Sequence, residues 1–257
     1  MIKSFESNVL TSLKTGLKVG NCNNPCFMCD WQQDMTRKKD RPKRMKYDKQ
    51  AINPKASFVQ NQLEVKGRQL VTVDKILFAP LHIKLGLFSQ FICSLPDAGK
   101  AKTYLNIKYK NNMSSAKIDN GAGFDGSMIR KLFKDENFKK QMNRTELAAW
   151  LSLISVSQNF LGNNRSFNYK QIVSNLIKAF EAQGIKETVK LHFLRSHLDS
   201  FPINCGQLSD EQGERFHQEI CAIERRYQGR CNKHMLAEYV WGLKHESDYV
   251  FGYVNNF

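Results

Sequence analysis

At 257 residues the chain is long enough for one large domain or two small ones with a substantial buried core. Apolar residues make up 41% and charged residues 25%, as in ordinary globular proteins, and no apolar run reaches the ~18–20 residues that would span a bilayer. Lys and Arg number 39 against 24 Asp and Glu, and the net charge of +15 argues for a polyanionic partner, most simply nucleic acid, while saying nothing of the fold.

In chain order, Val9, Leu10, Leu13 and Leu17 share one face of a short helix that Gly20 ends. Cys22, Pro25, Cys26 and Cys29 follow. The next basic run is Arg37, Lys38, Lys39, Arg41, Lys43, Arg44 and Lys46, seven cations in ten positions. It reads either as a solvated loop or nuclear-import signal, or as a direct contact to DNA phosphates. Residues 47–69 show little periodicity and read as an exposed connector. Leu70 to Phe78 alternates weakly, which suggests a short strand.

Beyond Pro80 the pattern is helical. Leu81–Leu95 is amphipathic and stops at Pro96-Asp97. Asp125–Phe138 predicts one or two short helices. A strong helix begins at Thr145, has Glu146 in its first turn, carries Leu147, Trp150, Leu151, Ile154 and Phe160, and ends at Gly162. Tyr169–Ala182 follows, closed by Gly184, and then Lys186–Leu198, broken at Phe201-Pro202. Ser209 is a good N-cap for a long helix reaching Tyr227, stopped at Gly229, and a last helix runs from about Asn232 to Leu243.

The first 30 residues lack the basic, apolar and small-residue pattern of a signal peptide, so secretion is not expected. Seven Cys is an odd count in such a chain, which favours free thiols or a metal site over a disulfide framework. Cys26 and Cys29 form a C-x2-C knuckle, and two thiolates at that spacing can face one tetrahedral ion. The best source of two further ligands is His192 and His197, an H-x4-H pair, with Cys22 as an alternative. Five residues of helix put two imidazoles about 140° apart, so the helix must open before His197 or the ion must sit at its end. The competing reading is two surface or capping histidines and two buried cysteines. Asp210, Glu211 and Glu214 open the Ser209 helix, either complementing its dipole or ligating a divalent cation. His82 and His217 read as structural or surface histidines. The sequence holds no P-loop, dinucleotide fingerprint or nucleophile elbow.

Several strings together resemble a repetitive family of mobile-element proteins of animal genomes: Pro80-Leu-His-Ile-Lys-Leu-Gly-Leu87, Asn159-Phe-Leu-Gly-Asn163, His192-Phe-Leu-Arg-Ser-His-Leu-Asp199, Ser209-Asp-Glu-Gln-Gly-Glu-Arg-Phe-His-Gln218 and Arg226-Tyr-Gln-Gly229. The likeness runs from about Ser7 to Lys244. The motif order is also similar to that of the Transib transposases and the related V(D)J recombinase. Those use an Asp-Asp-Glu metal triad; a C-x2-C follows the second Asp, then a helical insertion, then an H-x4-H that completes a zinc site shortly before the Glu. The resemblance implies a zinc site of Cys26, Cys29, His192 and His197, and Glu211 as the catalytic carboxylate. It also implies an upstream part, the first strands of an RNase H-like domain with the first Asp, that this chain starts too late to contain. The second Asp falls on Ser7, with Glu6 beside it. A serine hydroxyl is a poor replacement, because two-metal phosphoryl transfer needs anionic bridges holding ions ~3.5–4 Å apart.

The expected fold is mainly α: a partial RNase H-like (α+β) catalytic domain with a large all-helical insertion, its first strands missing. The expected segments are a core remnant with the C-x2-C (1–36), a basic linker (37–69), a helical insertion (70–185), and the H-x4-H with C-terminal catalytic-type helices (186–257). The expected function is that of a transposase-derived DNA-binding fragment, incomplete for cleavage and strand transfer. Its cofactor is structural zinc, with Mg or Mn only where catalytic ligands are restored. Its partner is double-stranded DNA, a homodimer remains open, no membrane is involved, and its location is nuclear. The rival is a helical, zinc-stabilised interaction module with no nucleic-acid role.

Overall fold

The computed structural model describes residues 24–33, 47, 76, 78–207, 237 and 241. The chain divides into two compact units, Met1–Ser209 and Asp210–Phe257, and the architecture below belongs to the first. In the second, Ala237 and Trp241 are helical, as the sequence pattern expects for the last helix. The described residues are mainly α-helical and contain no strand; Cys29 and Ile76 make isolated bridge pairs only. The N-terminal helix, most of the Leu70–Phe78 strand and the helix from Ser209 lie outside the described residues.

Helix α1, Pro80–Ser94, starts with proline at its first position, where a missing N–H costs nothing. Ile83, Leu87, Phe88, Phe91 and Ile92 recur at helical spacing and are buried as one stripe. Then come α2 (Lys100–Tyr109), α3 (Ser115–Asp119), α4 (Gly126–Phe133), α5 (Glu136–Lys140), α6 (Arg144–Asn159), α7 (Tyr169–Ala182) and α8 (Val189–Ser196), with a 3-10 turn at Leu198–Ser200. Asp125 caps α4 by accepting from Met128 N at 2.7 Å, and Asp135 caps α5 by accepting from Asn137 N and Phe138 N. Helix α6 has a reciprocal capping box: Asn143 accepts from Thr145 N and Glu146 N, and Glu146 accepts from Asn143 N, all at 2.9 Å.

The expected helices at Leu81–Leu95, Asp125–Phe138, Thr145 onward and Tyr169–Ala182 are present within a residue or two of their ends. At the C-terminus of α7, Gly184 takes φ +74, Ile185 N donates to Phe180 O and Gly184 N to Glu181 O. This pairing satisfies the last carbonyls and needs glycine at the left-handed position. The periodicity underrates α2, whose buried set includes Lys102. That ammonium is satisfied by Asp97 at 2.6 Å and Asp119 at 3.8 Å, so a polar residue occupies a core position.

The core centres on Trp150 of α6, which is fully buried. Phe91 and Phe88 of α1, Phe133 of α4 and Phe138 of α5 surround it at centroid distances of 5.1–6.0 Å, the last two edge-on. Edge-to-face and tilted contacts at these distances add about 0.5–1.5 kcal/mol each beyond burial. One side chain thus ties four helices together. Trp150→Ala is expected to cost roughly 3–5 kcal/mol and Trp150→Phe clearly less. Denaturant unfolding checks this, and equal costs for the two variants would contradict a central role for the indole.

Candidate metal centre

Three short stretches build the site. The first is the loop Asn24–Trp31. The Asn24 side-chain amide donates to Asp30 O at 3.0 Å and to Trp31 O at 3.5 Å, which folds the loop back on itself. Within it, Met28 N donates to Cys26 Sγ at 3.4 Å, and the Cys29 and Trp31 amides also point at the thiols. The second stretch is α8, which buries His192. The third is the single residue after it. His197 has left helical geometry, with φ −126 and ψ 34. The helix therefore opens where an H-x4-H pair requires it to.

The four side chains converge. Cys29 Sγ lies 3.2 Å from His192 Nε2 and 3.3 Å from His197 Nε2, and Cys26 Sγ lies 3.4 Å from His197 Nε2. All four donor atoms fall within 4.8 Å of one another. Tetrahedral coordination with metal–sulfur bonds of about 2.3 Å and metal–nitrogen bonds of about 2.0 Å sets a sulfur–nitrogen edge near ~3.5 Å. The observed edges match that size. Cys26, Cys29 and His192 are buried, and His197 is half-buried.

The electrostatics suit a cation. Burial pushes the Cys26 thiol up, and the hydrogen bond with Cys29 adds to it. The hydrogen bond from Cys26, supported by His192 and His197, holds Cys29 well below the usual thiol range. A divalent ion between the two adjacent thiols would stabilise both thiolates at once. Burial also holds the His192 imidazole below its ordinary value, which keeps it neutral and able to ligate. Its Nδ1 has no hydrogen-bond partner among the described residues and faces Glu187 Oε1 at 3.9 Å. Glu187 in turn accepts from Arg195 Nε at 2.6 Å and Nη2 at 3.2 Å. A carboxylate behind a ligating histidine fixes ring orientation and raises basicity, and here an arginine positions that carboxylate.

Aromatic packing holds the pieces in place. Trp31 stacks on His192 at 4.3 Å and 11°. Phe27 contacts Phe78 and Phe193, and Phe78 continues to Phe201. Sequence reasoning missed Asn24, Phe27, Trp31 and Glu187. The one signal available was the density of aromatic residues flanking both motifs.

The expected helix Lys186–Leu198 is shorter than the sequence suggests. Thr188 is extended, at φ −106 and ψ 168, so that the buried Glu187 can reach Arg195, and His197 turns toward the thiols. The structure therefore brings together the four expected ligands Cys26, Cys29, His192 and His197. The alternative ligand Cys22, the expected catalytic Glu211, Ser7, Glu6 and the basic residues Arg37, Lys38, Lys39, Arg41, Lys43, Arg44 and Lys46 lie outside the described residues. His82 lies on α1 and is not part of the cluster.

A family model described as a domain of unknown function (DUF8704) matches residues 80–162, which is α1 through α6. None of the four donors falls inside that span. No curated protein and no solved structure matches the chain. No helix among the described residues is long and apolar enough to cross a membrane.

A strong chelator is expected to lower the melting temperature of the native chain by roughly 10 °C, taking ~2–4 °C per kcal/mol for a chain of this size. The same treatment should not move His192→Ala. An unchanged melting curve for chelated native protein would contradict a resident ion.

Proposed function

We propose that this chain is a zinc-stabilised, transposase-derived DNA-binding protein whose metal-dependent nuclease chemistry is incomplete. The observation that carries the reading is the closure of Cys26 and Cys29 onto His192 and His197 across a stretch whose described elements are helices. That is the motif order the likeness to Transib transposases implies, and it supports, for the outlying segments, a helical insertion within an RNase H-like core. All four tetrahedral positions would come from protein, which leaves no site for water or substrate. Zinc bound there is therefore structural: it supplies a cross-link, and no reaction step runs through it.

The net charge of +15 supports a polyanionic partner, and the Arg37–Lys46 run is the first place to look for phosphate contacts. A nuclear location fits such a partner. Glu211 is the proposed inherited carboxylate. Ser7, standing where the likeness places the second aspartate, leaves too few anionic ligands to hold a pair of Mg²⁺ or Mn²⁺ ions.

Purified protein should carry about one zinc per chain by elemental analysis. It should bind duplex DNA without sequence preference, with affinity falling steeply between about 50 and 200 mM salt. Replacing Arg41, Lys43 and Arg44 with Ala should lower the slope of log K against log salt by about 2–3 units, since each lost phosphate contact removes roughly 0.9. Zinc-loaded protein with no affinity for duplex DNA would instead favour a helical interaction module.

Metal-dependent nicking of DNA should stay at background. Robust nicking that Glu211→Gln abolishes would overturn the incomplete-enzyme reading and point to Glu6 as the replacement carboxylate.

A further inference from the structure

We propose that the solvent face of α4, continued through α5 to the first residue of α6, docks the phosphate backbone of duplex DNA. This surface rests on the DNA reading above but uses none of the residues of the Arg37–Lys46 run. Ser127, Arg130, Lys131 and Lys134 follow one another at i, i+3, i+4 and i+7 and are all exposed, so they form one stripe along α4. The opposite side is spent on the core, with Ile129 and Leu132 buried. Lys140, the last residue of α5, and Arg144, the first of α6, are exposed as well.

Between residues 130 and 144 there are six Lys and Arg and only two carboxylates within the same span, Asp135 and Glu136. Both carboxylates are engaged. Asp135 caps α5, accepts from the Tyr104 hydroxyl at 2.9 Å and pairs with Lys108 of α2. Glu136 pairs with Lys139 at 2.7 Å. Lys131, Lys134, Lys140 and Arg144 therefore have no carboxylate partner among the described residues. A merely solvated helix face usually interleaves signs, because like charges at i+3 and i+4 repel by a few tenths of a kcal/mol each. Here Arg130 and Lys134, and Lys131 and Lys134, stand at those spacings, and a polyanion would relieve the repulsion.

The chemistry selects among polyanions. No apolar residue in 126–144 is exposed, so the surface has nothing to insert into a lipid interface and no aromatic anchor for a protein partner. It is also pre-organised. Asp125 and Asp135 cap the two helices, and Phe133 and Phe138 fasten them edge-on to Trp150. Arg130, Lys131 and Lys134 lie within about 6 Å of helix axis, four steps of ~1.5 Å each, close enough for neighbouring phosphates of one strand to engage them together.

The test is fluorescence anisotropy of the full chain on a random-sequence duplex of about 20 base pairs, from about 50 to 200 mM salt. The Lys131→Ala, Lys134→Ala, Lys140→Ala triple variant is compared with native protein, with vesicles of anionic phospholipid as a second arm. The triple variant should lower the salt slope by about 3 units and leave the melting temperature unchanged. If it melts lower, the three single Gln variants replace it, each removing roughly 0.9 from the slope. Native protein that binds duplex DNA with a slope the ridge variants do not change overturns this surface and leaves the DNA reading standing. Native protein that does not bind duplex DNA overturns both. An effect of the substitutions confined to vesicles overturns the choice of partner.

Discussion

Two sulfurs and two imidazole nitrogens gathered within 4.8 Å set the condition that the first unit has to meet. The thiols and imidazoles that meet there are 163 to 171 residues apart in sequence. Closing so long a loop costs chain entropy, which a contact between one thiol and one imidazole does not offset. A multivalent ion would offset it, because it would bind the folded arrangement and has no preformed site in the unfolded chain. The surroundings are consistent with that role. Amides of the Cys26–Trp31 turn point at the sulfurs, Trp31 lies flat on His192, and Glu187 stands behind the same ring with Arg195 holding it. Each of these features positions a donor, and no described residue supplies a fifth group that would make the centre reactive.

The helices around Trp150 form a second source of order that uses different chemistry. There the stabilisation is apolar burial and aromatic packing between α1, α4, α5 and α6. The DUF8704 span, residues 80–162, coincides with this packed set and stops short of α8. The metal-type cluster is therefore attached from outside the matched span, by a loop before it and a helix after it. α1 connects the two, since its Phe88 and Phe91 reach Trp150 while Gly86 passes beneath the Lys190 side chain of α8. A Cβ at position 86 would come within 2.2 Å of Lys190 Cδ, a clash that the flexible end of that side chain relieves by moving.

Much of this was legible in the sequence, for identifiable reasons. The long helices α1, α6 and α7 bury stripes at strict 3.6-residue spacing, and glycine or proline marks their ends. The ligand set was legible because C-x2-C and H-x4-H are local spacings with a chemical meaning, and the spacing itself required the break seen at His197. What escaped was what depends on distant partners. α2 was not visible because Lys102 occupies a core position that Asp97 and Asp119 make tolerable. The extended Thr188 was not visible because its cause is the Glu187–Arg195 pair folding across the start of α8. The Trp31–His192 stack joins residues with no shared local pattern. Such pairings are tertiary choices, and a one-dimensional period carries no trace of them.

The described residues on either side of residues 34–46 are each held to the first unit. On one side the Asn24–Trp31 loop is held by its own hydrogen bonds and by the donor cluster. On the other, the Tyr47 hydroxyl donates to Ile185 O at 2.9 Å and its amide to Glu181 at 3.0 Å, at the C-terminal end of α7. Tyr47 and the Asn24–Trp31 loop thus lean on the same stretch, Glu181 to His197, from its two ends. An ion at the donor cluster would hold the loop there directly, because it binds the folded arrangement of donors. Tyr47 is held by two hydrogen bonds of its own, so loss of such an ion would loosen the loop and leave the Tyr47 contacts in place.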